Sequence, residues 1–136
     1  MHPLSFEIGR ILCDLHLPDS AVLLGSECGG KELVQLFCAE PPIRKTRFLC
    51  ADAAIRIKDE IKIVLEIEES KVDPVQFFGK AFATAACAFY NGVQGRYPLS
   101  RELLFIQVLI KEETNRSKEQ QCLNIEIGRA SCRERV

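Results

Sequence analysis

Acidic residues cluster at the end of one apolar segment, residues 61–70, whose sequence is IKIVLEIEES. Side chains alternate between the two faces of a strand, so Glu66 and Glu68 should share one face, about 6.5–7 Å apart. Two carboxylates at this spacing could hold a cation, or they could form a solvated strand end. Taken alone, the Glu-x-Glu motif does not favour either interpretation.

A neighbouring strand could supply a third carboxylate. The segment at residues 47–57, RFLCADAAIRI, is separated from the acidic one by only residues 58–60, which predicts an antiparallel hairpin. With a three-residue loop, Asp52 lies opposite Glu66 on the same face, with Cβ atoms about 4.5–5.5 Å apart. A loop of two or four residues would place Asp52 on the opposite face from Glu66.

This register predicts a metal site. Like charges that face each other destabilise a sheet, and the repulsion is stronger among apolar residues than in water. A divalent cation between Asp52 and Glu66 would relieve that repulsion, because Mg²⁺ is commonly held by one or two carboxylates and waters. The alternative is a wet strand end with Asp52 at the start of a turn.

A helix follows the acidic strand and adds two polar residues. Asp73 and Pro74 are suited to the N-cap and first turn of a helix that we expect to run over residues 74–91. Gln76 and Lys80 lie one turn apart on the same side of it. The helix could bring the Lys80 ammonium to the acidic cluster, where it would approach a phosphate or orient a water. The alternative is a surface lysine whose aliphatic stem covers apolar residues.

The ordered combination of Asp52, a hairpin, Glu66 and Glu68, then a helix with Lys80, resembles the PD-(D/E)xK nuclease superfamily. The resemblance covers residues 47–121, and the segments DPVQFFGK, LFIQVL and KEQQ also resemble a group of prokaryotic proteins with this fold. It implies a helix before three antiparallel strands, then a helix and a further strand. Glu68 stands where most members have lysine, so Lys80 would be the substitute. Ala51 stands where the family has a proline.

The resemblance implies hydrolysis of DNA phosphodiester bonds with Mg²⁺ or Mn²⁺. Asp52 and Glu66 would hold the metal, which would lower the pKa of a bound water and stabilise charge on the phosphate. Glu68 would be a third ligand or a base, and Lys80 would offset the developing negative charge. Gln76 would support this site, and Glu7 on the first helix resembles an extra acidic ligand of some members.

Basic residues just before the Asp52 strand predict contacts with nucleic acid. Arg44, Lys45 and Arg47 could bind DNA phosphates, or they could belong to a solvated loop. Two other functions stay open. One is a nuclease-fold module that has lost cleavage and serves in nucleic-acid binding or assembly; the other is a plain α/β domain with an incidental acidic cluster.

The predicted elements give one α/β or α+β domain with a mixed sheet flanked by helices. They are a helix over residues 3–15, apolar strands over 21–26 and 32–39, the hairpin, the helix over 74–91, a buried strand over 102–110, and a last helix that begins near residue 115. We expect residues 1–125 to form a restriction-endonuclease-like domain that is truncated at its C-terminus.

Residues 126–136, EIGRASCRERV, look like the in-frame translation of a sequencing adapter. Without their three Arg and two Glu, the formal charge falls from −1 to −2, so the chain has no overall basic signal for nucleic acid. The missing natural C-terminus could carry a dimer surface, so a homodimer stays open.

The seven cysteines predict reduced thiols rather than disulfides. We expect Cys13, Cys38, Cys50 and Cys87 to be small core residues of a cytoplasmic protein, because no secretion signal precedes them. No apolar run is long enough to cross a membrane. A zinc site built from the two histidines and Cys28 lacks the usual ligand spacing.

Overall fold

The computed structural model describes residues 3–69 and 73–109, and it confirms the mixed α+β class. The predicted last helix and the adapter-like tail lie outside the described residues. The elements are α1 (Pro3–Cys13), β1 (Ser20–Leu24), a 3₁₀ turn (Ser26–Cys28), β2 (Val34–Phe37), β3 (Arg47–Ala51), β4 (Ala53–Ile57), β5 (Glu60–Glu68), α2 (Pro74–Ala86), β6 (Phe89–Gly92) and β7 (Gly95–Leu109).

The described strands form one sheet in the order β1-β4-β5-β7-β6-β2-β3. The β5–β7 pair is parallel and the other pairs are antiparallel, so the sheet is mixed as expected. Strand β3 leads into β4 through Asp52 alone, although the two strands lie far apart in this order. The sheet therefore curls back on itself, and Asp52 lies at the corner.

The two faces of β5 pack into different parts of the core. Leu65 and Ile67 face α1, in a cluster with Leu12 of that helix. Val64 faces the inside of the curled sheet, in a cluster that contains Cys87 from the end of α2. Because side chains alternate along a strand, the two acidic residues that follow Val64 on its face are directed to the α2 side.

The predicted three-residue hairpin loop was wrong. Ile57 pairs with Glu60, which leaves a two-residue turn at residues 58–59. Lys58 adopts a left-handed backbone conformation with φ of 55°, and its N–H donates to Asp19 O at 2.8 Å. The tight turn is thus stabilised from outside the hairpin, by a contact that the loop sequence does not contain.

A β-bulge restores the predicted register beyond this turn. Lys62 is the extra residue, because Arg56 pairs with Ile61 while Ile55 pairs with Ile63. The shorter turn and the added residue cancel, so that Asp52 directly precedes the Ala53–Leu65 pair and lies beside Glu66.

Three other expectations were wrong in detail. Helix α2 ends at Ala86, not at residue 91, because Phe89 and Tyr90 are buried in β6, where they pair with both β2 and β7. The segment RFLCADAAIRI is two strands rather than one. Cys13 and Cys50 are exposed rather than in the core, although Cys87 is buried.

In the part of the chain that the structure describes, no helix has the length and apolar character to span a membrane.

Candidate metal and phosphate site

Asp52 is held at the corner between β3 and β4 by two backbone donors. Its main-chain oxygen accepts from Gly25 N at 2.9 Å, and its Oδ2 accepts from Ile67 N at 2.7 Å. A Cβ atom on Gly25 would lie 3.0 Å from Asp52 O, so a larger residue would displace this corner. The carboxylate is therefore fixed in position against the end of β5.

Glu66 is almost fully buried, with 3% of its surface exposed, and its carboxylate is within hydrogen-bond reach of Asp52. Burial, followed by the neighbouring Asp52 charge, raises the pKa of Glu66 from 4.5 to about 7, against the opposing effect of Lys80. Glu66 Oε1 is buried and finds no hydrogen-bond partner among residues 3–69 and 73–109. The carboxylate thus has one oxygen that the described protein leaves unsatisfied.

Lys80 reaches into the acidic cluster from α2. Its Nζ lies 3.2 Å from Glu66 Oε2 and 3.4 Å from Glu68 Oε2, so the three side chains meet on one face as the sequence predicts. Burial lowers the pKa of Lys80, but the charges of Glu66 and Glu68 outweigh it and leave that pKa raised. The helix starts where predicted, because Asp73 accepts from Val75 N at 3.0 Å as its N-cap.

Glu69, which directly follows Glu68, has a structural role instead. Glu69 accepts hydrogen bonds from Leu4 N at 2.7 Å and from Ser5 Oγ at 2.9 Å, at the start of α1. A carboxylate at a helix N-terminus satisfies free N–H groups and complements the helix dipole. No local sequence pattern indicates this anchor, because its partners are 64 and 65 residues away along the chain.

The other predicted residues lie outside this cluster. Gln76 is exposed on α2, one turn before Lys80. Glu7 is exposed on α1, where its carboxylate pairs with Arg10 at 3.0 Å. The basic residues are exposed at the turn before β3 and at its first position: Arg44, Lys45 and Arg47. Five residues of strand rise separate Arg47 from Asp52, a span of about 16 Å.

The electrostatics of the cluster favour a cation. Three carboxylates (Asp52, Glu66 and Glu68) and one ammonium (Lys80) leave a formal charge of −2 when all are ionised, since −3 + 1 = −2. Among the described residues, no three His, Cys, Asp or Glu side chains form a ready-made metal cluster. The contact of Asp52 with Glu66 and the unsatisfied Glu66 Oε1 nevertheless fit a hard cation that keeps part of its water shell.

Comparisons with known proteins add no assignment: no family model, no curated protein and no solved structure matches this chain.

Proposed function

We propose that this protein is a metal-dependent nuclease that hydrolyses phosphodiester bonds of DNA in the cytoplasm. The observation that carries the proposal is the contact between Asp52 and Glu66 at a buried site with surplus negative charge, where Glu66 Oε1 has no donor. The element order supports it too. Helix α1, the antiparallel strands β1, β4 and β5, helix α2 and strand β7 occur in the order that the PD-(D/E)xK resemblance implies, with β2 and β3 inserted after β1 and β6 inserted before β7.

The residues of the site have separate roles in this proposal. Asp52 and Glu66 hold Mg²⁺ or Mn²⁺, with Glu68 as a further ligand or a base. When bound, the ion lowers the pKa of a coordinated water and stabilises charge on the phosphate. Lys80, whose ammonium already lies between the two glutamates, donates to a phosphate oxygen as negative charge develops there.

The basic turn before β3 extends the proposed site toward DNA. Arg44, Lys45 and Arg47 are exposed, and β3 runs from Arg47 directly to Asp52. Phosphates bound by these residues would place a strand of DNA along β3, with another phosphate about 16 Å away at the acidic cluster. A homodimer, which would present two such sites to a duplex, is a further part of this proposal.

One observation favours a second candidate, a nuclease-fold module that binds nucleic acid without cutting it. The Lys80 ammonium already neutralises part of the charge of Glu66 and Glu68, as a metal ion would. In this alternative the ion pairs with Lys80 are structural, and the basic turn before β3 alone contacts the partner.

Plasmid cleavage tests the proposal. The full-length protein should nick or linearise supercoiled DNA with Mg²⁺ or Mn²⁺, and Asp52→Ala should abolish this because it removes a metal ligand. Asp59→Ala is the matched control, an exposed aspartate at the turn of the same hairpin, and it should cut like the wild type. Cutting that survives in folded Asp52→Ala would contradict the assignment. DNA binding without any cutting would favour the binding module.

A further inference from the structure

A second unsatisfied oxygen lies next to Glu66, on the neighbouring strand. Gln107 of β7 is the register partner of Glu66 in the parallel β5–β7 pair. Neighbouring strands are about 4.8 Å apart, and paired side chains share a face of the sheet. Packing in the core supports this shared face. Val64 and its partner Phe105, which precede Glu66 and Gln107 by two residues, both pack in the core cluster inside the curled sheet. Gln107 therefore faces the α2 side together with Glu66.

Both of these residues have a buried acceptor without a donor. Within residues 3–69 and 73–109, the buried side-chain atoms that lack a hydrogen-bond partner are Glu66 Oε1, Gln107 Oε1 and Arg56 Nε. The first two are oxygen acceptors at paired positions, whereas Arg56 carries a donor nearer the hairpin turn. An unsatisfied buried polar group destabilises the fold, so two adjacent ones point to a missing partner that both oxygens share.

The chemistry of these two oxygens suits a cation as their shared partner. Glu66 Oε2 is occupied by Lys80 Nζ at 3.2 Å, and Asp52 Oδ2 is occupied by Ile67 N at 2.7 Å. Donors within residues 3–69 and 73–109 thus bind Glu66 Oε2 and Asp52 Oδ2, and none of them reaches Glu66 Oε1 or Gln107 Oε1. Carboxylate and carbonyl oxygens with water are the ligands that suit Mg²⁺ and Mn²⁺.

We infer that Gln107 belongs to the metal site, and that its amide oxygen binds the same divalent cation as Glu66 Oε1. This inference rests on the proposed function and adds a ligand from a strand outside the acidic hairpin. A neutral amide adds coordination without further repulsion, which suits a site that already holds three carboxyl groups against one ammonium. The rival arrangement is a rotated amide whose Nε2 donates to Glu66, which would make Gln107 a structural residue.

Calorimetric titration of the full chain with Mn²⁺, in the absence of DNA, separates these roles. If the amide oxygen is a ligand, Gln107→Leu should weaken Mn²⁺ binding about 10-fold or more. Gln107→Glu keeps an oxygen at this position, so it should bind Mn²⁺ at least as tightly as the wild type. Gln35→Leu on β2, a half-buried glutamine of the same sheet, is the control and should bind Mn²⁺ unchanged.

The outcomes distinguish this inference from the proposed function. Wild-type protein that takes up no Mn²⁺ would overturn both. Uptake that is lost in Glu66→Gln but unchanged in Gln107→Leu would leave the acidic site standing and remove Gln107 from it. If Gln107→Glu weakened binding as much as Gln107→Leu does, the amide would be a donor, and the inference would be wrong. Should Gln107→Leu fail to fold, Mn²⁺ binding that is weaker in Gln107→Glu than in the wild type would still overturn the inference, and binding at least as tight as in the wild type would support it.

Discussion

Glu66 and Glu69 are separated by three positions at the end of β5, yet their surroundings differ. Glu69 accepts two hydrogen bonds from the start of α1. Glu66 shares one oxygen with Lys80, and its other oxygen is buried without a donor in the described part of the chain. The acidic run at residues 66–69 therefore contains both a structural anchor, Glu69, and the candidate metal ligand, Glu66. The two differ in their hydrogen-bond partners rather than in their chemistry.

The two carboxylates should also affect stability in opposite directions. Glu69 satisfies donors at a helix N-terminus, which stabilises the fold. Glu66 is removed from water beside another carboxylate, which destabilises its charged form. A folded protein retains such a cost where the charge is used, so the difference supports a functional role for Glu66 and an architectural one for Glu69.

The largest effect that we expect is on DNA cleavage. Glu66→Gln removes a negatively charged ligand from the proposed cation and should reduce metal-dependent cleavage on the order of 1000-fold. Glu69→Gln, the matched control at the same strand end, should cleave like the wild type when compared per folded molecule. Equal losses of cleavage in both variants, measured on supercoiled plasmid, would erase the functional distinction between the two carboxylates.

The next effect is on the pH dependence of stability in metal-free protein. The pKa of Glu66 is raised from 4.5 to about 7, so the unfolded chain ionises first as pH rises. The stability that this carboxyl contributes is therefore fully present below pH 4.5. It is lost progressively as the pH rises from 4.5 to about 7, a change in the free energy of unfolding on the order of 3 kcal/mol. Urea denaturation of the wild type and of Glu66→Gln should diverge across that interval. A constant difference in unfolding free energy between them would contradict the raised pKa.

The smallest effect concerns the anchor. Glu69→Ala removes the acceptor of Leu4 N and Ser5 Oγ and should lower the free energy of unfolding by about 1–2 kcal/mol. Hydrogen exchange should show the loss first at the N-terminal turn of α1. Uniform loss of protection, with no excess at α1, would indicate that Glu69 does not anchor this helix.

Local patterns predicted much of the site. Strand alternation in IKIVLEIEES placed Glu66 and Glu68 on one face, and the Asp73-Pro74 signal located the start of α2, which brings Lys80 over that face. The predicted position of Asp52 beside Glu66 is correct, but the loop length on which that prediction depended is wrong. A turn one residue shorter and a bulge at Lys62 compensate for each other, and no local rule anticipates that pair of deviations.

Side-chain alternation and helix capping depend on near neighbours in the chain, so the sequence by itself determined which face of β5 is acidic and where α2 begins. The partners of each carboxylate depend on contacts between distant segments, and only the tertiary structure decided them. Docking of α1 gives Glu69 its donors, and the parallel pairing of β5 with β7 brings Gln107 beside Glu66. The curl of the sheet, which follows from strand order rather than from any single segment, places Asp52 at the corner where these elements meet.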